Sequence, residues 1–156
     1  MFQTLDEATA FIRHKSVAMV DLKFCDLWGR WRHVTLPAGR FNASLLDSGV
    51  GFDGSSLGLT AVKSGDLVLV PELATAFLDP FWEVPTLSFL CATLEADTRQ
   101  PFPHDPRTLA ARAEEFLRSS GVGDTSLWGP EFEFYLFDGV SYQNGVNTAS
   151  YRVESR

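Results

Sequence analysis

Two glutamates, Glu131 and Glu133, stand one residue apart in GPEFEFYLFD, the stretch from Gly129 to Asp138. Gly129-Pro130 breaks the chain and Asp138-Gly139 turns it, so the spacing predicts a strand between them. Successive strand side chains point to opposite faces. Glu131, Glu133, Tyr135 and Phe137 therefore share one face, and Phe132, Phe134 and Leu136 share the other. One face is wholly apolar, while the other is acidic only at the two glutamates. Same-face neighbours lie ~7 Å apart along a strand, too far to chelate one ion easily and suited to two neighbouring ions. Hard carboxylate oxygens point to Mg²⁺ or Mn²⁺ rather than zinc. The plainer alternative is a half-solvated edge strand that binds nothing.

A second candidate lies in FDGSS, Phe52 to Ser56. Asp53 followed by Gly54, Ser55 and Ser56 is first a turn sequence, in which the Asp side chain bonds the backbone two residues on and Gly54 takes positive φ. The functional alternative presents Asp53 on a loop tip, able to hold a cation or accept a proton, with Ser55 and Ser56 as polar neighbours. The overlapping GVGFDG, Gly49 to Gly54, has the GxGxxG spacing of a dinucleotide fingerprint. That fingerprint must follow a buried strand and open a helix, whereas here a short helix precedes it and SSLGLTAVKSG follows.

Several short elements must position these residues. TLDEATAFIRHK has Thr4 and Glu7 at capping-box spacing, and Leu5, Ala8, Phe11 and Ile12 form one helical face. VAMVDLKFCD and WRHVTL flank a turn at Gly29 and predict a hairpin, with Ala18, Val20, Leu22 and Phe24 on one side. Asn42 caps a brief helix that ends near Gly49, and a Gly- and Ser-rich loop runs on to Gly65. DLVLVPEL and TLSFLCATLE supply two more strands, with Pro71 pushing the first toward an edge or a break. These elements make a small α+β layer arrangement.

ADTRQPFPHDP then reads as a linker or domain boundary. After it, Asp105 and Pro106 start a helix whose stripe is Leu109, Ala110, Ala113, Phe116 and Leu117, stopped by Gly121. Two strands, TSLWG and EFEFYLFD, are expected next. The polar remainder, SYQNGVNTASYRVESR, offers no evident closing element, so this second unit is expected to be incomplete and the chain to be the front of something longer.

Composition narrows the functional classes. A net charge of −7 argues against nucleic acid as a partner, whose backbone is bound by clustered Lys and Arg. The one basic cluster, Arg30, Arg32 and His33, reads as a solvated strand face. No apolar run is long enough to span a membrane, and MFQTLDEATAFIRHK is too charged for a signal peptide, so a cytoplasmic location is the expectation. Cys25 and Cys91 lack metal or redox spacing and read as small hydrophobes. His14, His33 and His104 sit on separate elements and read as surface or structural.

Four stretches in order, FDGSS, DLVLVPELATAFLDPF, DPRTLAARAEEFLRSSG and GPEFEFYLFD, resemble the N-terminal third of a bacterial class I glutamine synthetase over essentially the whole chain. The resemblance implies an α+β chain with an N-terminal β-grasp domain over residues 1–101. The opening helix and strands of an incomplete catalytic domain then occupy 102–156. It implies ATP-dependent ligation of ammonia to L-glutamate through γ-glutamyl phosphate, with ATP as co-substrate and two or more Mg²⁺ or Mn²⁺ ions. Residue by residue, Glu131 would match a ligand of the metal that bridges to the ATP phosphates, and Glu133 a ligand of the metal on the glutamate side. Asp53 would match the acid that binds ammonium and takes its proton, with Ser56 beside it.

The family also implies a homo-oligomeric ring, a dodecamer, in which the Asp-bearing loop completes the neighbouring subunit's site. The sequence departs from the pattern at Leu59, where many relatives have a second glycine, and at Gly65, where Ser or Ala is common; no tryptophan follows FDGSS closely. The chain by itself is expected to be inactive. The competing readings are a related ligase that joins glutamate to a polyamine or another amine, and a non-catalytic β-grasp module that docks on other proteins.

Overall fold

Thr4 opens the first helix as a capping box. Its hydroxyl accepts the Glu7 N–H at 3.2 Å, and the Glu7 carboxylate accepts the Thr4 N–H at 3.4 Å and the Gln3 N–H at 2.7 Å. The computed structural model describes residues 2–61 and 65–156, so positions 62–64 of the expected Gly- and Ser-rich loop lie outside the described residues. Helix α1 spans Leu5–His14 and buries Ala8 and Ile12, with Leu5 and Phe11 packed against the same core. That is the face set by the helical period.

Strands β1 (Met19–Cys25) and β2 (Trp31–Pro37) form the antiparallel hairpin expected from the sequence. Its turn is organised by the buried carboxylate of Asp26. Oδ1 accepts the N–H groups of Trp28 and Arg30 at 2.9 and 3.0 Å, and Oδ2 accepts Arg32 Nε at 2.8 Å. Burial acts to raise the Asp26 pKa, but the hydrogen bonds from Arg30, Arg32 and Trp28 outweigh it and hold the carboxyl below its usual range.

Asn42 caps α2 (Ala43–Ser48), accepting the Leu45 N–H at 3.1 Å. At its other end the Arg99 guanidinium donates to the carbonyls of Ser48 and Asp47 at 2.8 and 2.7 Å, closing groups a helix C-terminus leaves unpaired. Strand β3 (Val50–Asp53) follows, then β4 (Asp66–Pro71), the two-residue β5 (Phe77–Leu78) and β6 (Thr86–Glu95). The sheet order is β2-β1-β6-β4-β3, with β5 also on β6; β1 and β6 are parallel and the other pairs antiparallel. Val20, Leu22, Phe24, Leu69, Leu87, Phe89 and Cys91 form the core beneath α1. Phe41 stacks on Phe89 with centroids 4.9 Å apart.

The other side of β1 is polar and partly buried. Asp21 Oδ1 accepts Thr35 Oγ1 at 2.6 Å and pairs with His33 Nδ1 at 2.7 Å, while Lys23 Nζ lies 2.6 Å from Asp79 Oδ2. This corrects the reading of Arg32 and His33 as a merely solvated face: each holds a buried carboxylate, Asp26 and Asp21 respectively. The Lys23 hydrogen bond is the main cause that holds Asp79 below its ordinary range. Cys91 is fully buried, as a small hydrophobe should be, and burial pushes its thiol pKa up.

Two further expectations change. GVGFDG contains β3, a strand paired with β4, where only a loop was expected. Pro71 ends β4 opposite Cys91 while β4 itself lies inside the sheet. The proline-rich run is tied to the sheet: Phe102 is buried, its N–H donates to the Thr93 carbonyl at 2.9 Å, and Pro101 bridges to Leu94. Helix α3 (Pro106–Ser119) starts as predicted, with Asp105 Oδ2 accepting the Thr108 N–H at 3.2 Å and Pro106 at its first position.

The compact unit built from these elements runs to Thr125, and Ser126–Arg156 forms a second unit. Within the second unit the expected strands TSLWG and EFEFYLFD take no partner strand among the described residues. A strand is defined by its ladder, and amphipathic spacing alone does not supply one. The polar C-terminal run instead forms a hairpin of β7 (Gly139–Asn144) and β8 (Ala149–Glu154), with Tyr142 opposite Tyr151 and Val140 opposite Val153. Among the described residues no helix is long and apolar enough to cross a membrane.

Phe89→Ala is expected to destabilise the chain by about 3–5 kcal/mol in urea unfolding, because the ring is fully buried. Phe116→Ala should stay within about 0.5 kcal/mol, since that ring is 72% exposed. For Asp79, a depressed folded-state pKa means that the unfolded state binds more protons as pH falls. The stabilisation is thus present above the unfolded carboxylate value of about 3.9 and is lost as pH drops through the folded value. Melting curves from about pH 6 down to below about 3 should show the gap between the native chain and Asp79→Asn closing only in the acidic range.

Candidate functional site

Asp53 is the last residue of β3, and the ladder with β4 sets it opposite Asp66. Its Oδ1 accepts the Ser55 N–H at 2.9 Å and the Ser55 hydroxyl at 2.6 Å, and its Oδ2 accepts the Ser56 hydroxyl at 2.5 Å. Ser55–Leu57 form a single 3₁₀ turn. The structure thus brings together Asp53, Ser55 and Ser56, all named from the sequence, and makes Ser55 the donor that engages Oδ1 twice. The spacing Asp-x-Ser was a readable signal for the backbone half of that contact.

The turn is otherwise not the one expected. Gly54 is right-handed at φ −69°, and Gly58 takes the positive value of 67°. A side chain on Gly58 would meet Trp28 Cη2 at 3.4 Å. The β1–β2 turn therefore brings an indole to a loop whose own sequence lacks one.

Asp53 is exposed, yet its pKa is lowered. The causes are the hydrogen bonds from the Ser55 and Ser56 side chains and the Ser55 N–H, all of which favour the charged form. Among the described residues no Lys, Arg or His forms an ion pair with it. The buried Asp21, Asp26 and Asp79 differ in this respect, each lying within ion-pair distance of a basic side chain. Among the described residues Asp53 is held in its ionised form by neutral donors alone.

Glu131 and Glu133 belong to the second unit, in a stretch outside any ladder, and both are exposed. Tyr135 and Phe137 stack in the same stretch with centroids 6.1 Å apart. Among the described residues no three His, Cys, Asp or Glu side chains converge as a metal site. As donors the two carboxylates fit Mg²⁺ or Mn²⁺, which take oxygen ligands and retain waters and phosphate oxygens in their remaining positions. A cleft of about 590 Å³ between α3 and β6 is lined by Glu72, Leu94, Arg107 and Arg112 among others, and contains none of these candidate residues.

Comparison with known proteins agrees with this architecture. The family model "Glutamine synthetase, beta-Grasp domain" matches residues 16–96, and "Glutamine synthetase, catalytic domain" matches residues 103–156. The chain belongs to the glutamine synthetase family: a β-grasp domain followed by the start of the catalytic domain.

Glutamine synthetase of Azotobacter vinelandii is 40% identical over 152 residues, covering 97% of this chain and 32% of that protein. That of Escherichia coli K12 is 39% identical over 150 residues, covering 96% and 32%. A protein of Cupriavidus pinatubonensis named 3-hydroxylaminophenol mutase is 38% identical over 156 residues, covering 99% and 33%. The chain thus spans about a third of the length of the curated relatives it matches. The cryoEM structure of Plasmodium falciparum glutamine synthetase shares the fold with a TM-score of 0.73 at 20% identity, covering 99% of this chain and 30% of that one.

Ser55→Ala and Ser56→Ala should each raise the titration midpoint of the Asp53 carboxyl, because each removes a donor to its charged form. Carboxyl-carbon NMR titration of the three proteins measures this directly.

Proposed function

We propose that this chain supplies the β-grasp domain, residues 1–101, and the opening of the catalytic domain, residues 102–156, of a cytoplasmic enzyme that joins ammonia to L-glutamate to give L-glutamine. The observation that carries the reading is the Asp53 carboxylate, exposed, hydrogen-bonded in its ionised form and free of a cationic partner among the described residues. Such a group attracts a small cation, and ammonium is the cation this family reading requires.

In the proposed reaction the γ-phosphoryl group of ATP passes to the side-chain carboxylate of glutamate. Ammonia attacks the acyl carbon of the resulting γ-glutamyl phosphate, the carbon–oxygen bond to phosphate breaks, and phosphate leaves. Asp53 binds ammonium and accepts the proton that frees its lone pair. A carboxylate held below its ordinary range is a weak base, so its larger contribution is to bind and orient the cation. Ser56 fixes Oδ2 and Ser55 fixes Oδ1.

Glu131 would hold the metal on the nucleotide side, and Glu133 the one on the glutamate side. Bound Mg²⁺ or Mn²⁺ supplies charge neutralisation for the transferring phosphoryl group. We further propose a ring of copies, twelve by family resemblance, in which the Asp53 loop of one subunit serves the site of the next.

The reading is tested in a chain extended to the full length of its relatives, assayed for glutamine with glutamate, ammonium, ATP and Mg²⁺. Glu131→Ala and Glu133→Ala should each abolish turnover, and Asp53→Asn should raise the KM for ammonium. The 156-residue chain alone should form no glutamine. Near-native activity in either glutamate variant would overturn the metal assignment. The relative named 3-hydroxylaminophenol mutase makes that printed activity the second reading, favoured if the extended chain consumes 3-hydroxylaminophenol and forms no glutamine.

A further inference from the structure

Across the Asp53 loop the Gly54 N–H donates to the Gly65 carbonyl at 2.7 Å. This brings the backbone of residue 65 directly against the carboxylate. A Cβ at Gly65 would lie 2.8 Å from Asp53 Oδ1 and 3.4 Å from both Cβ and Oγ of Ser55. The first distance is closer than carbon and oxygen approach without bonding, so one of the two groups must move. The Gly65 backbone is fixed by the Gly54 contact and by β4, which begins one residue later. Asp53 is free to turn, because its side chain is exposed and rotates about χ1. Any turn that takes Oδ1 away from residue 65 stretches its hydrogen bonds with Ser55.

We propose that Gly65 is a positioning residue for Asp53: the missing side chain leaves the space in which Oδ1 sits against Ser55 while Oδ2 is held by Ser56. This deepens the reading of Asp53 as the ammonium-binding acid and rests on it for its functional meaning. The geometric claim stands separately. It assigns residue 65 no contact with substrate. Gly65 sets which rotamer the carboxylate adopts, and therefore how firmly its charged form is stabilised and in which direction it faces. Asp66 stands across the ladder from Asp53.

Two measurements on the chain test this without any catalytic assay. Carboxyl-carbon NMR titration of Gly65→Ala should show the Asp53 midpoint moved upward toward the ordinary carboxylate range, with Asp26 and Asp79 unmoved. Gly39→Ala, at a site where an added Cβ meets nothing within 4 Å, should leave Asp53 where it is. An unchanged Asp53 midpoint in a folded Gly65→Ala protein would overturn the proposal.

Thermal unfolding of Gly65→Ala with and without Asp53→Ala covers the case in which the single variant is unstable. If the carboxylate is the obstacle, Gly65→Ala lowers the melting midpoint in the native background and costs little when Asp53 is already alanine. An equal loss in both backgrounds, or failure of the double variant to fold, would place the conflict in the backbone and overturn the proposal. Neither result depends on what Asp53 binds. A failure here therefore leaves the ammonium reading to its own assay, and a failure of that assay leaves the positioning of Asp53 by Gly65 intact.

Discussion

Strand β6 is hydrogen-bonded on both edges, and the position of every other strand in the first unit follows from that. Its first half, Thr86–Leu90, runs parallel to β1, and its second half, Cys91–Glu95, runs antiparallel to β4. Leu87, Phe89 and Cys91 face the core from this one strand and are almost wholly excluded from water. Burial of a large apolar side chain contributes roughly 1.5–3 kcal/mol, so a slip of one residue, which would turn this set outward, is strongly disfavoured. Fixing β6 fixes β4, and β4 in turn fixes β3 through the pairs Val50–Leu69 to Asp53–Asp66. The candidate acid stands at the end of that relay. A loop carried by a paired strand holds a side chain more closely than a free loop does.

Carboxylates organise much of this chain, and their partners set the buried ones apart from the candidate acid. Asp26 draws two turn amides and a guanidinium to itself, Asp79 takes an ammonium, and Asp105 caps a helix. Each is buried and each compensated by positive charge or by the positive end of a helix. Asp53 inverts the arrangement. It is exposed, and its donors among the described residues are neutral. Burying an unpaired carboxylate would be costly, which accords with the exposure of Asp53.

Much of the first unit could be read from its sequence because the signals were local. The Thr4–Glu7 box, the Gly29 turn and the Asp105-Pro106 start each depend on residues a few positions apart, and all three are present in the structure. Strand β3 was hidden by its shortness and its glycine-rich surroundings: Val50 and Phe52 alternate with Gly51 and Asp53 over only four residues, and the pairing comes from β4. The roles of Arg32, His33 and Arg99 were hidden for a related reason. Arg32 and His33 reach Asp26 and Asp21 across the hairpin and Arg99 reaches the end of α2 through the tertiary fold, and a count of charges cannot show that a basic residue on a hairpin pairs with a buried acid. For the candidate site, the carboxylate and its turn were legible, whereas the closeness of Gly65 and Trp28 was not.

The stretch around Glu131 and Glu133 shows the difference between a pattern and a structure. Its alternation is among the clearest in the chain, yet the hairpin that forms nearby is the polar one, where Asn144-Gly145 brings two segments together at once. Hydrogen bonding between strands is a property of pairs, and a turn of a few residues supplies the partner at little entropic cost. A segment as apolar as Phe132-Glu133-Phe134 is destabilised by exposure on both faces until such a partner covers it. The pairing of that segment also governs its chemistry. Only a pleated, laddered backbone holds alternate side chains on one side at a fixed separation, so the same contact that buries the phenylalanines would set the spacing between the two carboxylates.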